Sequence, residues 1–78
     1  MSAAHLRMIS ARELIGILEK LGFEQRRMSG TSHIRFAHPD GRRTTVPVHP
    51  GKDIGRGLLR KILRDIELSP DELETLLK

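Results

Sequence analysis

The sequence predicts a two-layer α+β domain in which helices cover one face of a three-stranded antiparallel meander. Apolar residues recur at helical spacing after Ser10 and again after Gly57. Between these segments, residues 33–37 alternate polar and apolar side chains, as a half-buried strand does. The chain has 78 residues, which is enough for one small domain but not for a large internal cofactor pocket.

Capping patterns place the helices. Ser10 and Glu13 form a capping box, which predicts a first helix at about 11–21, and Gly22 suits a left-handed cap at its end. The apolar face of a second helix at about 57–66 is formed by Leu58, Leu59, Ile62, Leu63 and Ile66. The opposite face is basic, with Arg56, Arg60, Lys61 and Arg64. Ser69, Pro70 and Glu72 begin a third, short helix.

Three strands lie between the first two helices. They are predicted at 23–28, 33–37 and 43–48, with turns at 29–31 and 38–41. Because successive side chains of a strand point to opposite faces, the apolar pair Ile34 and Phe36 must face the helices. His33 and Arg35 then lie on the open face of the sheet, with Thr45 and, where the strand extends that far, Arg43.

The charge is unevenly distributed. Residues 1–64 hold 13 Lys and Arg against 5 Asp and Glu, a net charge of +8, whereas residues 65–78 have a net charge of −4. This pattern is typical of a polyanion-binding surface, and equally of a solvated charged surface. Two Phe, no Tyr and no Trp argue against a platform that stacks bases on aromatic rings. Three interpretations of the basic stripe on the second helix stay open: it contacts phosphates, it faces solvent, or it binds an acidic partner.

Several kinds of chemistry are disfavoured. There is no cysteine, so thiolate catalysis and Cys-based zinc sites are excluded. The four histidines show no metal-ligand spacing, and no pair of carboxylates suits a two-metal nuclease. The glycine-rich segment 51–57 is either an anion site or a flexible connector. No apolar run is long enough for a membrane span, and we expect a cytoplasmic protein that does not contact membranes.

His33 is the candidate catalytic residue on the open face. Imidazole moves protons readily near neutral pH, and Arg35 lies on the same face. An ordinary surface histidine is the alternative interpretation. A Ser32–His33 nucleophile pair is disfavoured, because neighbouring strand residues point to opposite faces.

The motifs of the chain resemble those of the HicA toxin family over about residues 9–69. The matching segments are 13–15, 18–23, Ser32-His33, Arg35-Phe36, 38–42 and, as the closest match, 45–53 with 57–63. Family members are small mRNA interferases with a double-stranded-RNA-binding-like α-β-β-β-α fold, and a HicB antitoxin holds them inactive. The resemblance implies a type II toxin that needs no cofactor, with mRNA as substrate and a HicB-like antitoxin as partner.

The resemblance also assigns roles to residues. The family's catalytic histidine lies in a Gly-Ser-His motif, which here reads Gly-Thr-Ser-His over 30–33 and maps the role onto His33. His33 would then be the general base of a metal-independent endoribonuclease. The candidate RNA-binding residues are Arg26, Arg27, Arg35, Arg42, Arg43, Lys52, Arg56, Arg60 and Lys61. A non-catalytic RNA-binding module of the same fold and a domain that binds only the antitoxin are the alternatives.

The start of the chain departs from the family pattern. The sequence from Met8 to Glu13 resembles the beginning of a family member. Residues 1–8 are therefore predicted to form a disordered N-terminal extension, with 9–78 as the single domain.

Overall fold

Eight secondary-structure elements follow one another along the chain. The computed structural model describes residues 6–29 and 32–77, and the side chains of all of these except 27–29. In chain order the elements are β1 (Ile9–Ser10), α1 (Ala11–Lys20), β2 (Glu24–Ser29), β3 (His33–Ala37), β4 (Arg43–Pro47), β5 (Asp53–Ile54), α2 (Arg56–Ile66) and α3 (Pro70–Leu77).

The main sheet is an antiparallel meander in the order β2-β3-β4. Its inner face carries Phe36 and Val46, which belong to one hydrophobic core with the apolar faces of the helices. The predicted α+β class and the three-stranded sheet are therefore confirmed. Of the predicted turn at 29–31, Gly30 and Thr31 lie outside the described residues.

The register of the β2-β3 pair shifts by one residue. Gln25 faces Phe36 and Met28 faces Ile34, so Arg26 and Arg27 together stand opposite Arg35. Such a β-bulge bends the strand and redirects the side chains beside it.

Helix α1 begins and ends where its local sequence predicts. The Ser10 hydroxyl accepts the Glu13 N–H at 3.1 Å, and the Glu13 carboxylate accepts the Ser10 N–H at 3.0 Å. Gly22 follows the helix with a φ of +95°, and a Cβ at this position would lie 3.1 Å from His38 Nε2. Glycine is required here both for the backbone conformation and for the close approach.

The glycine-rich connector contains a strand that the sequence analysis missed. Ile9 pairs with Ile54 and Ser10 with Asp53, which makes a small antiparallel sheet of β1 and β5. Two residues on each side are too short to show a periodic pattern, and their pairing is set by contacts across more than 40 positions of the chain.

Residues 6–8 depart from the predicted disordered extension. Leu6 is 6% exposed and belongs to the core, and its carbonyl oxygen accepts the Arg56 Nε–H at 2.9 Å. Arg7 forms an ion pair with Glu74 at 3.6 Å. The single apolar side chain of Leu6 gives no local signal of this packing. Residues 1–5 lie outside the described residues.

Residues 67–69 join the two C-terminal helices. Glu67, which caps the end of α2, has a left-handed φ of 58°. The second capping box forms as predicted, with Ser69 N–H donating to Glu72 at 2.8 Å and Glu72 N–H donating to Ser69 at 3.1 Å. One residue of α2 was predicted wrongly: Leu58 is 39% exposed rather than part of the core. It lies at the edge of the apolar face of α2, whose buried residues are Leu59, Ile62, Leu63 and Ile66.

Candidate functional site

The position of His33 agrees with the strand-parity prediction. It is the first residue of β3, is exposed, and lies opposite Pro47 of β4. Arg35 and Thr45 are also exposed and face each other across the same two strands, whereas Phe36 and Val46 are buried. His33, Arg35, Arg43 and Thr45 therefore share the open face of the sheet.

A cleft of about 310 Å³ lies where β3 and β4 meet the start of α2. It is lined by His33, Pro47, His49, Lys52, Asp53, Ile54, Gly55 and Leu58. The cleft thus brings two imidazoles, one ammonium and one carboxylate to the same place. It also explains the position of Leu58, whose exposed side chain forms part of the cleft wall.

The segment after β4 is held in place rather than loose. The Val48 N–H donates to the Ser32 carbonyl at 2.7 Å, which continues the strand pairing beyond Pro47. The Lys52 N–H then donates to the His49 carbonyl at 3.0 Å and closes a turn that contains Gly51, with φ +79°. The pairing of β5 with β1 secures the far end.

Sequence analysis did not connect His49 with His33. The connection depends on the strand register of the β3-β4 hairpin, which the sequence alone did not fix. Because His33 lies opposite Pro47, His49, two residues after Pro47, lies on the same face of the sheet.

A basic groove lies beside the cleft on the sheet. Its charged lining consists of Arg26, Arg35, Arg43, Lys61 and Asp65. Arg26 lies 3.6 Å from Glu24, and Lys61 lies 3.1 Å from Asp65. The cations outnumber the acidic groups, and the groove carries a net positive charge toward solvent. The basic groove consists of the four cations Arg26, Arg35, Arg43 and Lys61 and the surface between them.

The other candidate RNA-binding residues lie outside the basic groove or outside the described side chains. Lys52 lies in the cleft rather than in the groove, and Arg60 is exposed on α2 outside both. Arg56 holds the Leu6 carbonyl. The side chain of Arg27 lies outside the described residues.

Arg42, one of the predicted RNA-binding residues, makes several contacts within the chain. Its guanidinium bonds the Asp40 carboxylate at 2.8 Å, lies 5.1 Å from the Phe23 ring centre and donates to the Ile66 carbonyl. These contacts join the β3-β4 turn to the connection between α1 and β2 and to the end of α2. The sequence shows the charge of Arg42 but not these partners, which lie up to 24 positions away.

Asp40 organises the same turn. The backbone N–H of Arg42 donates to its carboxylate at 3.1 Å, and this bond, with the Arg42 guanidinium, holds the pKa of Asp40 below its ordinary value of 3.8. The charged carboxylate therefore fixes the turn just before Arg43 enters the basic groove.

His38 is a structural histidine. Its Nδ1 accepts the Asp40 N–H at 3.1 Å, so in the neutral ring Nε2 carries the proton and donates to the Leu21 carbonyl at 3.1 Å. The ring also meets Phe23 edge-on, with 5.0 Å between centroids. His33 and His49 differ, since within the described part of the chain no hydrogen bond engages either ring.

The described residues contain no helix that could cross a membrane, and no three of their His, Asp or Glu side chains come together in a metal-binding arrangement.

The α-β-β-β-α order, with helices on one face of the main sheet, is compatible with the fold of double-stranded-RNA-binding domains. Residues 11–68 match the family model described as the HicA toxin of bacterial toxin–antitoxin systems. The chain therefore belongs to the HicA toxin family. Membership gives it the role of a toxin and implies an antitoxin partner. A comparison with curated proteins finds no match.

Proposed function

We propose that this chain is a metal-independent endoribonuclease that cleaves mRNA, with His33 as its general base. The observation that carries the proposal is the placement of His33. Its exposed ring lies on the open sheet face, in a cleft that adjoins the basic groove. Membership of the HicA toxin family supports the same activity.

The basic groove is suited to holding an RNA backbone. Arg26, Arg35 and Arg43 extend from three neighbouring strands, so a phosphate chain crossing the sheet meets successive cations. Arg35 is two residues from His33, which places their Cβ atoms about 7 Å apart on one face. A backbone bound by Arg35 therefore passes within reach of the imidazole.

The reaction uses the ribose itself as nucleophile. His33 removes the proton of a 2′-hydroxyl, and the resulting oxygen attacks the adjacent phosphorus. The bond from phosphorus to the 5′-oxygen breaks, which leaves a 2′,3′-cyclic phosphate and a 5′-hydroxyl. Arg35 and Lys52 stabilise the additional negative charge on the phosphoryl oxygens. DNA lacks the 2′-hydroxyl and cannot react in this way.

A HicB-like protein is the proposed antitoxin. The open sheet face has the charge that an acidic inhibitor would recognise, and His33 and the basic groove lie on or beside that face. An inhibitor bound there would block access of RNA to the cleft by occlusion, without any change of conformation.

The test is cleavage of cellular mRNA by the purified chain in the presence of EDTA. His33→Ala is expected to lose activity by about 10²- to 10⁴-fold, the usual contribution of a general base. An RNA with 2′-deoxyribose at the cut position should resist the wild-type chain, and the 5′ fragment should end in a cyclic phosphate. Glu19→Ala, an exposed substitution on α1, is the matched control.

Two outcomes would contradict the proposal. Unchanged cleavage by His33→Ala would show that His33 is not the general base. Salt-sensitive RNA binding without cleavage by the wild-type chain would instead identify a non-catalytic RNA-binding module.

A further inference from the structure

The cleft contains a second imidazole, that of His49, to which the proposed reaction gives no role. His49 is exposed and lines the same cleft as His33. It reaches the cleft from the segment after β4, whereas His33 comes from β3. Two imidazoles on separate segments can approach one phosphodiester from different sides, which base and acid must do in an in-line displacement.

The backbone fixes this arrangement. The Val48 N–H bonds the Ser32 carbonyl, and the Lys52 N–H bonds the His49 carbonyl. His49 is therefore held between an extension of the sheet and a closed turn. Its ring, like that of His33, makes no hydrogen bond within the described part of the chain. This contrasts with His38, whose two ring nitrogens both have partners.

We propose that His49 is the general acid that protonates the leaving 5′-oxygen, an inference that rests on the proposed ribonuclease function. Neutral His33 takes the 2′-hydroxyl proton as the bond between the 2′-oxygen and phosphorus forms. Protonated His49 gives its proton to the 5′-oxygen as the bond between that oxygen and phosphorus breaks. His33 ends protonated and His49 neutral; His33 then releases its proton to water and His49 takes one up, which resets both.

The other polar groups of the cleft are less suited to this step. The Lys52 ammonium, a compact point charge on a flexible stem, serves better as a positive charge beside the phosphate. The Asp53 carboxylate is an acceptor when ionised. Imidazole is the side chain that exists in both protonation states near neutrality.

The experiment compares two leaving groups. An oligoribonucleotide that the wild-type chain cuts is made with the natural 5′-oxygen and, separately, with sulfur at that bridging position. A thiolate leaves without needing a proton. His49→Ala and His49→Gln should therefore lose about 10²- to 10⁴-fold on the oxygen substrate and stay within about threefold of wild type on the sulfur substrate. His33→Ala should lose activity on both substrates.

Controls separate the possible failures. Lys52→Ala should lose activity on both substrates alike, because charge stabilisation does not depend on the leaving group. Equal losses of the His49 variants on the two substrates, or no loss on either, would overturn the assignment while leaving His33 as the base. Absence of cleavage by the wild-type chain would overturn the proposed function, and the role of His49 with it.

Discussion

The hydroxyl of Thr44 donates a 3.0 Å hydrogen bond to the carboxylate of Asp65 and so joins β4 to α2. Thr44 is 6% exposed, on the inner face of the sheet. Lys61 binds the same carboxylate oxygen at 3.1 Å from the groove side. One carboxylate thus links the core face of the sheet to the edge of the basic groove.

Removing this carboxylate should destabilise the fold. Asp65→Ala leaves the buried Thr44 hydroxyl without its partner, which costs about 1–3 kcal/mol of unfolding free energy. Adding Thr44→Val to that variant removes the unsatisfied group and should restore part of the loss. Urea denaturation of the four chains measures the coupling. If the two substitutions lower the unfolding free energy in a strictly additive way, the hydrogen bond between Thr44 and Asp65 contributes nothing to stability.

Leu6 should be part of the folding unit. Leu6→Ala removes a buried side chain and is expected to lower the unfolding free energy by about 2 kcal/mol or more, since the cavity adds to the lost burial. Met8→Ala, at a side chain that is 46% exposed, is the control and should change stability by less than about 0.5 kcal/mol. Equal melting temperatures for the two variants would place residue 6 outside the cooperative core.

RNA binding should depend on salt through the basic groove. For single-stranded RNA, the slope of log K against log salt concentration is about −0.7 for each phosphate neutralised. Replacing Arg35 and Arg43 by Ala should therefore flatten the slope by roughly 1.4. Replacing Arg60 and Arg64 removes the same charge from the outer side of α2 and should leave the slope unchanged. The reverse result would move the RNA path onto the helix.

The antitoxin should cover the open face of the sheet. Hydrogen exchange on the complex is expected to show new protection in β4, an edge strand of the main sheet, and in the 33–37 strand. An interface of standard size occupies about 800 Å² per partner, a large share of the 5390 Å² accessible surface. Protection confined to 69–78 would mean that the partner binds the acidic end and inhibits by another route.

Asp40 should make stability depend on pH in the acid range. Its pKa is lowered in the folded state by the Arg42 backbone N–H, so the charged form stabilises the fold at pH above the ordinary value of 3.8. That contribution is lost as pH falls from about 5 through the folded-state pKa. Asp40→Asn keeps a side-chain acceptor without the charge.

Denaturation at a series of pH values checks this prediction. The wild-type chain should exceed Asp40→Asn in unfolding free energy at pH 5, and this margin should shrink as the solution becomes more acidic. A margin that grew on acidification would contradict the direction of the shift.

The sequence by itself determined the features that depend on near neighbours. The capping boxes of Ser10 with Glu13 and of Ser69 with Glu72 need residues only three positions apart, and both form. The alternation of 33–37 was enough to place His33 and Arg35 on the open face, because side-chain direction in a strand follows from parity alone. Gly22 was recognised for its left-handed backbone, although its contact with His38 was not.

Only the tertiary structure decided which distant residues meet. It placed Leu6 in the core, paired Ile9 with Ile54, and brought the guanidinium of Arg42 to Phe23 and Ile66. It also brought His49 into the cleft of His33. The paired residues lie from 16 positions apart, for His33 and His49, to 45 positions apart, for Ile9 and Ile54. Each contact depends on register and packing that no local pattern contains. Charge and residue type can be read from the sequence, but which distant residue a side chain contacts is decided only by the folded structure.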